Sequence, residues 1–213
     1  MAEPFSYAQL QDYLTTLVPH RAAELQQMEA YAQTHRFPII GPAAGQLCYL
    51  LARLSGARRI FELGSGYGYS TAWFARAVQE NGGGEVHHTV WDDKLSQLAR
   101  QHLDALGYRA LVHYHVAEAV ATLQQTPAPF DLIFNDIDKA GYPASLPVIA
   151  EKLRSGGLLI IDNMLLGGGI FDDSNTSANV AGVREFTRLI TTDPAWIVTL
   201  LPIRDGLIVA QKR

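Results

Sequence analysis

Phe61-Glu62-Leu63-Gly64-Ser65-Gly66-Tyr67-Gly68-Tyr69-Ser70-Thr71 stands between an apolar run ending at Ile60-Phe61 and the segment Ala72-Trp73-Phe74-Ala75-Arg76-Ala77-Val78. The downstream spacing is helical. The sequence therefore predicts a strand over 58–63, a tight glycine turn, and a helix over 69–80 stopped by Asn81-Gly82-Gly83-Gly84. In that arrangement backbone N–H groups at the helix start face a bound anion. Glycine supplies the positive φ of such a turn and lets a ligand approach the main chain closely. The dinucleotide fingerprint G-x-G-x-x-G is not met, because its third glycine falls on Tyr69. A glycine triplet alone also fits an ordinary strand-to-helix turn, so the surroundings must decide.

Upstream, residues 6–18 carry Tyr7, Leu10, Leu14 and Leu17 at helical spacing, and 21–34 carry Leu25, Met28 and Ala32. Pro19 separates the two and Phe37-Pro38 closes the pair. Pro42 opens a third helix through Gln46, Leu50 and Leu54, ended by Ser55-Gly56. These helices precede any strand, so they are expected to form a cap or an oligomer surface. Downstream, strands 86–91, 110–116, 130–135 and 157–162 alternate with helices carrying Leu95 to Leu106, 118–124 and 144–153. Strand 157–162 is apolar nearly throughout, as suits a parallel strand buried on both faces. A glycine-rich loop, 164–175, leads to a helix through Val183, Phe186 and Leu189. Strands 196–201 and 207–211 then flank the hairpin signal Arg204-Asp205-Gly206. The expected fold is α/β: a doubly wound, Rossmann-like, mostly parallel sheet with a C-terminal antiparallel hairpin. It is expected to occupy 57–213 of a single 1–213 domain whose first 56 residues are helical.

Composition narrows the function classes. The 213 residues are 48% hydrophobic and 18% charged, the balance of a soluble globule. No apolar run is long enough to span a bilayer, and Met1 to Gln11 lacks the apolar centre of an export signal. A net charge of −4 argues against a nucleic-acid partner, which needs a basic face. Cys48 is the only cysteine and cannot form a disulfide within the chain, so a cytoplasmic location is expected. Its setting, Leu47-Cys48-Tyr49-Leu50-Leu51, reads as helix packing.

Ligands on doubly wound sheets bind at the carboxyl ends of the strands. There the sequence places Trp91-Asp92-Asp93, Ala117-Glu118-Ala119, Asn135-Asp136-Ile137-Asp138-Lys139 and Asp162-Asn163. Asp136, Asp162 and Asn163 offer two carboxylates and an amide oxygen at neighbouring strand ends. Such hard donors suit Mg²⁺ or Ca²⁺, with Mn²⁺ a further candidate. The same residues also serve plain turns and helix caps, so both readings stay open at this point. Lys139, one turn from Asp136, can act as a base or pair on the surface with Asp138. His87, His88, His113 and His115 lie in strand patterns without metal-ligand spacing and are expected on the sheet faces.

From about Gly41 onward the chain resembles the cation-dependent, S-adenosylmethionine-dependent O-methyltransferases, the group of caffeoyl-CoA and catechol O-methyltransferases. The resemblance is carried by Gly45-Gln46, Glu62 to Ser70, Phe130 to Lys139, Gly156-Gly157-Leu158-Leu159-Ile160-Ile161-Asp162-Asn163 and Asp205-Gly206-Leu207. The D-x-D-K and D-N pairs are more specific than the glycine loop. The resemblance implies that Asp136, Asp162 and Asn163 hold a divalent cation, and that Lys139 is the general base with Asp136 beside it. It further implies that Glu62, Gly64, Ser65, Gly68, Tyr69 and Ser70 surround the methionine part of the cofactor, which Asp136 borders. Glu118 and Ala119 would then lie near the adenine, and a homodimer is expected, as in relatives.

Two positions depart from the family pattern. An acid near the end of the second strand usually holds the cofactor ribose, and here that position is Val90, with Asp92 two residues on. Strand alternation gives Asp92 the direction of Val90, so a bent strand end would bring it to the ribose. The segment after Asp162-Asn163 often carries an aromatic residue and here reads Met164-Leu165-Leu166-Gly167-Gly168-Gly169. The chemistry implied is in-line methyl transfer from a sulfonium to a phenolic oxygen. A divalent cation lowers the pKa of that oxygen and fixes it, and lysine takes the proton. A vicinal diol can chelate the cation while one oxygen faces the methyl group, so the expected acceptor is a catechol or related phenolic small molecule. Two alternatives are a nucleotide-binding oxidoreductase on a similar fold and a weakly active or non-catalytic relative that binds S-adenosylmethionine.

Overall fold

The computed structural model describes residues 6–213. The first five residues of the Met1–Gln11 stretch lie outside them. Three helices, α1 (Tyr7–Thr16), α2 (Ala23–His35) and α3 (Gly41–Leu54), precede the first strand. Strands β1 (Arg59–Leu63), β2 (Glu85–Val90), β3 (Val112–Val116), β4 (Phe130–Asn135) and β5 (Leu153–Ile161) then alternate with α4 (Tyr69–Glu80), α5 (Asp93–Ala105), α6 (Ala119–Gln125) and α7 (Tyr142–Lys152). The helix α8 (Ala178–Thr192) and strands β6 (Trp196–Leu201) and β7 (Leu207–Lys212) complete the chain. The sheet order is β3-β2-β1-β4-β5-β7-β6. Strands β1 to β5 pair in parallel, and β7 runs antiparallel to both β5 and β6. It follows that β6 shares the direction of β1–β5, and the β6–β7 turn lies at the carboxyl edge of the sheet.

Side chains on these strands alternate between two buried layers, as a period of two requires. Ile60, Leu132, Phe134 and Ile160 join the layer of α2 to α5, whereas Phe61, Leu63, Ile133, Leu159 and Ile161 join that of α6 to α8. Strand β5 starts four residues earlier than its apolar run, because Leu153 pairs with Phe130 ahead of an irregularity in the ladder. The helix α1 differs from expectation more. None of its residues is buried, and Leu17, at its C-cap, is 59% exposed. It is anchored by polar contacts: the Tyr7 hydroxyl donates to the Pro202 and Arg204 carbonyls, and Gln11 Nε2 to the Pro202 carbonyl. Among the described residues no helix is long and apolar enough to cross a membrane.

The strand order reverses between β1 and β4, which is where such sheets open a crevice. Leu63 pairs with Asn135, and Asn135 with Ile161. The next residue on each strand is Gly64, Asp136 and Asp162. Register alone therefore lines these three up at the sheet edge.

Candidate active site

The glycine turn is shaped by what it must avoid. Gly64 has φ 86°, and a Cβ there would lie 2.6 Å from the Asp136 carbonyl oxygen. Only glycine lets β1 and β4 end this close together. Gly68, the left-handed N-cap of α4 (φ 88°), lies so close to α5 that a Cβ there would stand 3.0 Å from Ala99 Cβ, so it seats α4 against α5. The Ser65 N–H donates to the Thr89 carbonyl at 2.8 Å, and Ser65 Oγ accepts from the Thr89 N–H at 3.1 Å, which ties the turn to β2. Tyr69 reaches upward, its hydroxyl donating to Glu29 Oε1 at 2.8 Å, and Tyr67 donates to the Met28 carbonyl at 2.8 Å. Both bonds hold α2 over the turn.

Glu62 lies beneath the turn and is fully buried. Burial pushes its carboxyl up to about 7, against the pull of the Ser70, Thr71 and Ser65 hydroxyls. One oxygen accepts from the Thr71 hydroxyl, and the other has no partner among the described residues. The Thr71 hydroxyl also meets His88 Nδ1 at 3.1 Å, so Glu62, Thr71 and His88 form one buried polar set.

A cleft of about 230 Å³ opens between the turn and the β4–β5 edge. Gly64, Ser65, Gly66, Tyr69 and Ser70 form one wall, Asp136, Lys139, Asn163 and Arg204 the other, and Phe37 to Ile40 the cover. Lys139 opens a 3₁₀ turn, Lys139–Gly141, and its Nζ donates to Asp136 Oδ1 at 2.7 Å. Asp162 is 1% exposed. Its Oδ1 accepts from the Asn163 N–H at 2.8 Å and its Oδ2 from Arg204 Nη1 at 2.9 Å. Burial, and then the charge of Asp136, raise the Asp162 carboxyl to about 7, with Arg204 opposing. Burial also raises Asp136, with Lys139 opposing. Asn163 takes a left-handed backbone (φ 59°), and its Nδ2 donates to Asp205 Oδ2 at 3.0 Å. That bond leaves the Asn163 amide oxygen for another partner.

A buried carboxylate, Asp162, whose pKa the charge of Asp136 helps to raise, stands with the half-buried Asp136 carboxylate and an amide oxygen, a hard-donor set with a demand for positive charge. A divalent cation fits this set chemically. Among the described residues no group of three or more His, Cys, Asp or Glu side chains is arranged as a metal site, so the third donor here must be the amide.

The remaining expected residues fall elsewhere. Asp92 caps α5, its Oδ1 accepting from the Lys94 N–H at 2.7 Å and the Leu95 N–H at 3.2 Å, and Oδ2 is left over. Glu118 caps α6 in the same way, through Val120 and Ala121, with Ala119 buried behind it. Glu62, Gly68, Asp92, Glu118, Ala119 and Asp162 are not on the cleft wall. The strand histidines also lie apart. His87 Nδ1 meets His115 Nε2 at 3.0 Å, and burial lowers His87 to about 4. Arg204, Asp205 and Glu29 carry no site assignment in the sequence reading; the signals were the hairpin turn for the first two and, for Asp205, the family-like end Asp205-Gly206-Leu207.

A family profile described as O-methyltransferase matches residues 17–213. The chain is 32% identical over 180 residues to the catechol O-methyltransferase of Niastella koreensis, with 80% of each chain covered. It superposes on the O-methyltransferase from Bacillus cereus solved in complex with SAH at a TM-score of 0.86 and 28% identity, covering 96% of this chain and 97% of that one. The O-methyltransferase TomG from Streptomyces achromogenes, involved in tomaymycin synthesis and solved with SAM, gives a TM-score of 0.86 at 29% identity, covering 100% and 99%.

Proposed function

The chain belongs to the O-methyltransferase family, and we propose that it methylates a hydroxyl of a catechol-type small molecule, using S-adenosylmethionine and a divalent cation. The observation that carries this reading is the second wall of the cleft. Lys139 and Asp136, paired at 2.7 Å, stand with Asn163 opposite the glycine turn, and Asp162 lies just behind them.

S-Adenosylmethionine supplies a methyl group on a positively charged sulfur. Ser65, Gly66, Tyr69 and Ser70 would hold its methionine end, with Gly64 and Gly68 keeping the turn open for it. Glu62 would act from below through Ser70 and Thr71. Glu118, Ala119 and Asp92 would flank the adenosine. A divalent cation, Mg²⁺ foremost, lowers the pKa of an acceptor hydroxyl and fixes its position. Asp136, Asp162 and the Asn163 amide oxygen would hold it. Lys139 Nζ, as the free amine after its ammonium proton has passed to solvent, would take the proton of the hydroxyl as the carbon–oxygen bond formed and the carbon–sulfur bond broke. Asp136 orients that amine, and Phe37 to Ile40 shield the cleft from water. The resemblance to a catechol O-methyltransferase further supports the choice of acceptor.

The test is a mass-spectrometric screen of vicinal diols beside matched phenols with a single hydroxyl. The diols should gain one methyl group and the isolated phenols should not. Equal methylation of both classes, or of neither, would sink the catechol reading.

A further inference from the structure

Arg204 stands at the tip of the β6–β7 hairpin with φ 52°, a left-handed backbone that glycine tolerates and arginine rarely adopts. Helix α1 holds it there: Gln11 Oε1 accepts the Arg204 N–H at 2.6 Å, and the Tyr7 hydroxyl donates to the Arg204 carbonyl at 2.6 Å. A backbone constrained in this way points to a use for the side chain it carries. That side chain lines the cleft, 31% exposed, and its Nη1 donates to Asp162 Oδ2 at 2.9 Å. Oδ1 of the same carboxylate already accepts the Asn163 N–H. Oδ2 is thus the oxygen a ligand would use, and Arg204 holds it.

We propose that Arg204 is a built-in counter-cation that competes with a divalent ion for Asp162 Oδ2 and so sets how tightly that ion is held. The proposal rests on the cation reading of the site. A guanidinium and a divalent ion sharing one buried carboxylate oxygen repel each other strongly, because little water lies between them. The ion therefore binds as the guanidinium swings off, and the adjoining cleft gives the side chain room to do so. Lys139 holds Asp136 Oδ1 in the same fashion, so both carboxylates carry a positive partner before any ion arrives. The hairpin tip, whose Arg204 lines the cleft wall facing the glycine turn, would in this way tune the site.

Mn²⁺ binding to the full-length protein, read from the paramagnetic resonance signal of free Mn²⁺, tests this without reference to turnover. Wild type is compared with Arg204→Gly, Arg204→Asn and Asp162→Asn. Glycine and asparagine both accept a left-handed backbone, so the hairpin tip should keep its shape in either variant. Competition predicts that both Arg204 variants bind Mn²⁺ about tenfold tighter than wild type or better, and that Asp162→Asn binds more weakly. Measurable wild-type binding that the Arg204 variants match or fall below overturns the competition and leaves the cation site standing. Absence of binding in wild type and in both Arg204 variants overturns the cation site and the competition together.

Discussion

Lys139 and Asp136 form an ion pair whose side chains are 18% and 26% exposed. A pair this open to water adds little stability, so its value lies in aiming the amine. Replacing Lys139 by alanine should lower kcat by about 10²- to 10⁴-fold, the usual worth of a general base, and move KM far less. Lys139→Arg separates proton transfer from charge. The guanidinium can still pair with Asp136 but does not give up its proton in proteins, so this variant should be as slow as alanine. Steady-state kinetics in which arginine restores most of the turnover would make Lys139 an electrostatic anchor only. At this scale much was legible beforehand. Asp136, Asp162 and Asn163 end strands that are recognisable by their apolar runs, so the fold rule alone brought them to one edge. Arg204 was not legible as a site residue, because Arg204-Asp205-Gly206 reads as a turn and says nothing about where the turn lies. Asp92 is ambiguous in the opposite way: an acid in the right place for a ribose is also a helix cap, and spacing does not separate the two uses.

The element that positions Lys139 is α8. The Asn179 Oδ1 accepts the Ala140 N–H at 3.1 Å, and Gly182 lies directly against the 3₁₀ turn. A Cβ at position 182 would lie 2.9 Å from Ala140 Cα and closer still to the Lys139 carbonyl oxygen, both backbone atoms that cannot give way separately. Gly182→Ala should therefore push the turn, and Lys139 with it, out of place. Intrinsic helix propensity works in the opposite direction, because alanine is favoured over glycine by about 1 kcal/mol. The expected result is a folded protein with kcat reduced by roughly 10²-fold, the cost of an ångström-scale misplacement, and an unchanged affinity for S-adenosylmethionine by calorimetry. Unimpaired turnover would show that the turn adapts and that α8 only packs. A glycine inside a helical pattern was the available signal for this contact, since it costs helix stability and usually has a packing reason. Helical periodicity also found α1 to α3, but it reports which face is apolar and not what that face meets. The polar clasp of α1 on the hairpin, made by Tyr7 and Gln11, therefore left no trace in the pattern.

The whole molecule brings its parts together through strand order. Alternating strands and helices announced a doubly wound sheet, and the reversal between β1 and β4 sets Gly64 beside Asp136. Pattern reading shows that strands exist but does not give their order, so the placement of β7 between β5 and β6 could not be read from it. That placement makes β6 parallel to the first five strands and delivers residues 202–206 to the active edge. The molecule thus gathers two carboxylates, an amide oxygen, a lysine and an arginine across from a glycine turn, drawn from segments far apart in the chain. Their joint purpose, as proposed, would be methyl transfer that depends on a divalent cation held by Asp136, Asp162 and Asn163. The most direct measurement is methyl transfer to a vicinal diol by wild-type protein, after exhaustive treatment with EDTA and again after Mg²⁺ is returned. Turnover should fall by about 10²-fold or more on chelation and recover with Mg²⁺, and Asp162→Asn should not recover. Undiminished turnover after chelation would contradict the claim.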